Sequence, residues 1–237
     1  MGAIRKALSV AVLAACGPAH AEWHGALSFA TDYVYRGYSK SRGNPVAQGS
    51  LEFEHESGGF AGLSLSQAGF DDAGYPDRSH VEFKPHAGWS LGLGESWRAE
   101  FEALGYLYDG QVFGKVSNYA ELYASLHFRE LLTARIGFAP DAYQRHADTL
   151  DYELQGRYDL LDTLRLSAGL GYYQAGELLE YDYFYWNAGL TWYPCRHVAA
   201  DLRYVDTDAH AHPPEQDGAL SFRPLANKVL FSISVGF

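Results

Sequence analysis

Only two of the 237 residues are cysteine, so little can cross-link this chain. Cys16 falls at the end of an apolar leader and Cys195 has no Cys-x-x-Cys neighbour, which excludes a disulfide framework and the common thiolate metal and redox spacings. Long hydrophobic runs are missing as well. No stretch approaches the roughly 18 apolar residues of a membrane helix. That excludes a helical membrane protein but not a barrel, whose strands are about 10 residues long and apolar on one face only. Positive charge is scarce, with 18 Lys+Arg against 29 Asp+Glu, which argues against nucleic acid as a partner because phosphate calls for a clustered basic surface. There is no Gly-x-Ser-x-Gly elbow, no His-Glu-x-x-His and no phosphate loop.

What is present begins with a leader. Arg5 and Lys6 precede a nine-residue apolar run, Ala7 to Ala15, which suits a signal-peptide core, and Ala19-His20-Ala21 supplies small residues where a signal peptidase reads. Residues 1–21 are therefore expected to be a signal peptide and 22–237 the mature domain. Cleavage leaves 16 basic residues against 29 acidic ones. Leu13-Ala14-Ala15-Cys16 is a second processing signal, and an acylated lipoprotein N-terminus at Cys16 stays open.

The whole chain holds 18 Tyr, 13 Phe, 5 Trp and 25 Gly, a balance that suits strands and tight turns. Its main signal is a period of two, which puts alternate side chains on opposite faces of a strand. In the first segment Trp23, Leu27, Phe29, Tyr33 and Tyr35 share one face while His24, Ser28, Asp32 and Arg36 share the other. Similar alternation recurs near 47–54, 60–69, 80–91, 96–108, 118–128, 132–139, 150–158, 163–173, 182–193, 198–205 and 229–237. Leu160, Leu161, Leu164 and Ala168 also fit a helical stripe, which Gly169 and Gly171 oppose.

Twelve segments result, joined by connections that alternate between short and long. The long ones lie near 37–45, 70–79, 109–117, 140–149, 174–181 and 206–226. This is the pattern of an all-β, up-and-down antiparallel transmembrane barrel with short periplasmic turns and longer outer loops. A soluble sandwich or lipocalin-like barrel alternates too, with its apolar face turned inward. The end of the chain favours the membrane: Val229, Phe231, Ile233, Val235 and Phe237 step by twos to the terminus, the form of strand that the outer-membrane assembly machinery reads. Ile233, Val235 and Phe237 are the assembly-signal candidates.

Asp32-Tyr-Val-Tyr-Arg-Gly-Tyr-Ser39, Pro45-Val-Ala-Gln-Gly49 and Gly59-Phe-Ala-Gly62 resemble the opening of the TorF-like family of outer-membrane porins, a bacterial family of unknown function of the Gcw_chp type. Gly105-Tyr-Leu-Tyr108 and Glu121-Leu-Tyr123 are similar to its central pieces, so the resemblance extends over the mature chain. Departures occur at Asp109-Gly110, where the family has Pro-Gly, and at Leu63–Gln67, which lacks the expected tryptophan and Ser-Asn pair. The resemblance implies a porin-like role in the outer membrane and no particular substrate.

The polar face supplies the lumen-lining candidates Asp32, Arg36, Glu52, Glu100, Glu102, Glu121, Arg135, Asp151, Arg157 and Arg203. Both signs occur, as in a water-filled pore or a charge-zipped plug. Carboxylates slightly outnumber cations there, and the long loops add Asp71, Asp72, Asp77, Asp141, Asp148, Glu177, Glu180, Asp206, Asp208, Glu215 and Asp217. A weak cation preference is expected, unless Arg36, Arg135 and Arg157 form a constriction. Glu100 and Glu102 have the look of a glycosidase pair, but Arg98 beside them suggests a structural network. Asp206, Asp208, His210 and His212 alternate as metal ligands would, and are read instead as a solvated loop before Pro213-Pro214. No metal and no cofactor are expected.

The functional expectation is a channel for small polar solutes or ions, with outer-membrane lipid and the assembly machinery as partners. The alternatives are a lipid- or envelope-modifying enzyme and a closed barrel whose outer loops bind a partner. His24, His86 and His127 sit on the polar parity, which counts against a lipid-facing Ser and His site.

Overall fold

The computed structural model describes residues 21–69, 75, 77–211 and 222–237. The leader with Cys16, the acids Asp71, Asp72, Glu215 and Asp217, and His212 lie outside the described residues. The strands are β1 (Ala21–Ala30), β2 (Val34–Tyr35), β3 (Tyr38–Ser39), β4 (Val46–His55), β5 (Gly59–Gln67), β6 (Val81–Gly92), β7 (Trp97–Tyr108) and β8 (Tyr119–Phe128). Then follow β9 (Leu132–Ala139), β10 (Thr149–Leu161), β11 (Leu164–Gln174), β12 (Tyr183–Cys195), β13 (Val198–Thr207), β14 (Arg223–Pro224) and β15 (Lys228–Gly236). One helical turn, α1 (Gly176–Leu179), caps the connection between β11 and β12.

All strands except β2, β3 and β14 join a closed antiparallel barrel of twelve. Closure falls on β1 and β15, in register from Ala26↔Gly236 to Ala30↔Ser232. Beyond that ladder Gly25 N–H donates to the Phe237 carbonyl at 2.8 Å and Phe237 N–H returns to Gly25 at 2.9 Å. A side chain at 25 would run into the Phe237 ring, so glycine is what lets the last residue seal the seam. With no free edge, every strand can satisfy its backbone inside hydrocarbon.

The apolar parity faces outward. Leu27, Leu63, Phe101, Leu126, Ile136, Leu154, Leu190, Leu202 and Phe231 are all exposed on the outer wall. Trp23 packs on Phe53 at 5.2 Å and Trp97 on Phe128 at 4.8 Å near the short-turn rim, while Tyr152, Tyr172 and Phe184 form a row near the opposite rim. Two aromatic belts flanking an apolar band are the outer surface of a barrel that sits in lipid. A lipocalin-like barrel would bury that band. The Leu160–Ala168 region is strand, turn and strand, where the two glycines pointed.

The first segment departs from its expected course. β1 stops at Ala30, and residues 31–45 turn into the barrel. Tyr33 is buried and Tyr35 half-buried, rather than facing lipid in line with Phe29. The reason is local: Tyr35-Arg36-Gly37-Tyr38 is a two-residue hairpin in which Arg36 and Gly37 have φ of 45° and 77°, both in the left-handed region. Such primed turns match strand twist and fold a segment back on itself. β14 adds a third strand to this small sheet by pairing with β3.

Candidate functional site

The inward hairpin is held by three charged residues spaced four apart. Asp32 accepts hydrogen bonds from Ser39 at 2.5 Å, Ser41 at 2.6 Å and Lys228 of β15 at 2.5 Å. Arg36 makes a bidentate pair with Glu121 of β8, both bonds 2.9 Å, and its Nε lies 3.2 Å from Asp151 of β10. Lys40 donates to Glu82 of β6 at 2.5 Å. Thus one short segment is tied to four strands around the ring. Arg36, Lys40, Glu82, Glu121 and Asp151 are all buried.

Tyrosine fills the space between these pairs. The Arg36 guanidinium lies 4.7 Å from the ring centroids of both Tyr35 and Tyr173. Lys40 Nζ is surrounded by Tyr33, Tyr35, Tyr106 and Tyr108, nearest at 4.2 Å to Tyr35. Such contacts strengthen where water is excluded. Tyr143, on a turn of the loop after β9, bonds Tyr38 through their hydroxyls at 2.8 Å, and Phe222 stacks on Tyr38 at 4.3 Å. The outer half of the lumen is therefore packed as a core.

Burial pulls the Lys40 ammonium down to about 8, with the Glu82 carboxylate opposing the shift. Burial pushes the Asp32 carboxyl up, but the hydrogen bonds from Lys228, Ser39 and Ser41 outweigh it and leave Asp32 below its ordinary value.

Toward the short turns the lumen opens. A cavity of about 620 Å³ lies beneath the hairpin, bounded by Arg36, Gln155, Arg157, Arg165, Asn187 and Arg203 among others. Another of about 510 Å³ reaches the rim and is lined by Glu52, Glu54, Glu56, Arg98, Glu100, Glu102 and Glu130. Carboxylates on β4 and β7 and arginines on β9, β10, β11 and β13 thus line different arcs of the ring. Ion pairs here are partly wet: Glu52 with His86 at 2.8 Å, Arg98 with Glu100 at 2.6 Å, Arg203 with Asp201 at 3.0 Å. Arg135 pairs with Glu153.

The ten lumen-lining candidates therefore divide. Asp32, Arg36, Glu121 and Asp151 meet in the packed outer half, whereas Glu52, Glu100, Glu102, Arg135, Arg157 and Arg203 line the open half. Arg36 comes from the loop and is spent on Glu121 and Asp151, so no ring of Arg36, Arg135 and Arg157 forms. Asp206 belongs to no solvated loop: it is buried at the end of β13, accepting from Tyr204 at 2.8 Å and from the Asn227 backbone at 3.1 Å. Asp208 accepts from the Phe184 backbone at 2.7 Å. Lys40 and the tyrosine shell were missed. Their signal was present, because Tyr106, Tyr108, Tyr119, Tyr123, Tyr173, Tyr183 and Tyr185 all fall on the polar parity at the outer ends of strands.

Solved outer-membrane barrels share this fold. A KdgM porin in complex with disordered oligogalacturonate aligns with a TM-score of 0.53 at 8% identity, over 91% of this chain and 98% of that one. A NanC porin aligns with a TM-score of 0.55 at 9% identity, over 91% and 99%. No curated protein matches the sequence. Residues 14–237 match a family described as "Bacterial protein of unknown function (Gcw_chp)", and the chain belongs to that family.

Proposed function

We propose that this protein is an outer-membrane channel for small polar solutes or ions whose first loop keeps the outer half of the lumen shut. The observation that carries this is the hairpin of residues 31–45, bound through Asp32, Arg36 and Lys40 to β15, β8, β10 and β6 above an ion-lined chamber. The outward apolar band, the shared fold with porins and the TorF-like resemblance support an outer-membrane, porin-like role. In this reading the leader is removed after Ala21, the outer wall contacts lipid, and the assembly machinery reads Ile233, Val235 and Phe237.

Conduction requires the hairpin to leave. In planar bilayers the wild type should give small, intermittent currents, and replacing residues 32–41 by a short Gly-Ser linker should give large, steady ones. No current from either protein would defeat the channel. The weak cation preference also belongs to this proposal, carried by Asp77, Asp141, Asp148, Glu177 and Glu180 at the outer mouth. It should fall as the screening length shrinks from about 10 Å at 0.1 M salt to about 3 Å at 1 M. A reversal potential with clear anion preference would defeat the charge argument.

The completeness of the packing favours a second reading, a closed barrel that binds a partner through its outer loops. It predicts no steady current and no effect of loop replacement on conductance. An envelope-modifying enzyme is supported by no observation here; His24, His86 and His127 occupy the inner face, paired with Glu22, Glu52 and Thr133.

A further inference from the structure

A cavity of about 190 Å³ lies on the inner wall where β7, β8, β9 and β10 adjoin. Glu100 and Glu102 line it from β7 and Glu153, Gln155 and Arg157 from β10, with Ser125 and His127 of β8 and Thr133 and Arg135 of β9 between them. Glu100 is engaged by Arg98 at 2.6 Å. Glu102 has no hydrogen bond or ion pair among the described residues. Among the described residues the Arg157 side chain reaches only Glu130, at 3.7 Å, and that pair is open to water, its side chains 41% and 80% exposed. The neighbouring Arg135 is already committed to Glu153. One carboxylate and one guanidinium therefore face the same small space without close partners.

A simple cation would satisfy Glu102 and leave Arg157 unmet, and a simple anion would do the reverse. β7 and β10 are three strand spacings apart, about 14 Å along the wall, and the register sets Glu102 level with Asp151 rather than with Arg157, so charges sharing a single carbon atom cannot serve both sides. We propose that this cavity holds a small zwitterion whose ammonium and carboxylate are separated by several carbon atoms, the ammonium on Glu102 and the carboxylate on Arg157. Charge-assisted contacts at both ends give selectivity over molecules carrying either charge alone. The inference names a solute class for the lumen and rests on the reading of that lumen as a solute path. Glu100 and Glu102 also line the larger cavity that reaches Glu56 and Glu130 at the short-turn rim, so the solute enters from that side while the hairpin is in place.

The test is calorimetry on the folded, detergent-solubilised protein at low salt, with 6-aminohexanoate as probe and hexanoate and hexylammonium as controls carrying one charge each. The zwitterion should bind about tenfold or more tightly than either control, the equivalent of one charged contact. Glu102→Gln and Arg157→Gln, each checked for a folded barrel by its heat-dependent gel shift, should both reduce its affinity to the level of the controls. Binding no tighter than the better control would overturn the site, as would full affinity in either folded variant. Binding in this assay with no conductance across a bilayer would overturn the channel and leave the site standing; conductance with no binding would overturn the site alone.

Discussion

The two halves of the lumen use the same residue types to opposite ends. In the outer half Arg36, Lys40, Glu82, Glu121 and Asp151 are buried, mutually paired and walled in by tyrosine. In the half nearest the short turns Arg98, Glu100 and Arg157 stand in open cavities with wet or incomplete pairs. What differs is the solvent. A buried pair has no water to replace a lost partner, so it acts as a latch, while a hydrated charge is free to meet a passing solute.

The comparison predicts its largest contrast at arginine. Arg36→Ala leaves Glu121 and Asp151 buried without their cation and should destabilise hairpin insertion by about 3–5 kcal/mol, whereas Arg98→Ala in the open half should cost under about 1 kcal/mol. Protease sensitivity of residues 31–45 in the folded barrel measures both, and equal effects would erase the distinction between the halves.

A smaller effect is expected at the hairpin tip. Gly37 has a φ of +77°, and a Cβ there would lie 2.8 Å from Tyr185 Cβ and 2.9 Å from Thr207 Cβ. Gly37→Ala combines backbone strain with overpacking and should weaken insertion by about 1–3 kcal/mol, read in the same assay. An unchanged cleavage rate would mean that the tip does not seat against β12 and β13.

The mildest probe is pH. Below about 8 the Lys40 ammonium is protonated whether the loop is in or out, and the cost of burying it is fully present. Between about 8 and the ordinary 10.5 the withdrawn loop binds more protons than the inserted one, so insertion tightens as pH rises through that window. Openings should therefore be rarer at pH 9 than at pH 7, below the range in which Tyr33, Tyr35 and Tyr38 of a withdrawn loop would ionise and favour opening, and Lys40→Met should flatten the difference. Asp32 acts at the other end: held low, it favours insertion at neutral pH and loses that contribution in acid as it protonates. More frequent openings at pH 9 than at pH 7 would contradict the Lys40 assignment.

The barrel was readable because its information is local. A period of two, repeated with turn residues between segments, determines strand, face and count, and the row from Val229 to Phe237 marks the seam. The hairpin was harder to read because Tyr33, Tyr35, Asp32 and Arg36 continue the alternation of β1 in register. Only the left-handed pair Arg36-Gly37 breaks that alternation, and Arg-Gly is a weaker hairpin signal than Asn-Gly or Asp-Gly. The partners Glu82, Glu121 and Asp151 lie more than forty residues away from it, a separation that no periodicity encodes. The open half was partly legible: parity put Glu100, Glu102 and Arg157 on the inner face, but which of them lack close partners is a matter of three dimensions.

Hydrogen exchange tests the central claim most directly, since it reports how often a segment leaves its packed position. In the folded, detergent-solubilised barrel the amides of residues 33–41, including Lys40 N–H bonded to the Tyr33 carbonyl at 2.7 Å, should be protected nearly as well as those of β8. Exchange of this segment as fast as that of an exposed loop would contradict the account, because a hairpin that is not packed in the lumen cannot hold it shut.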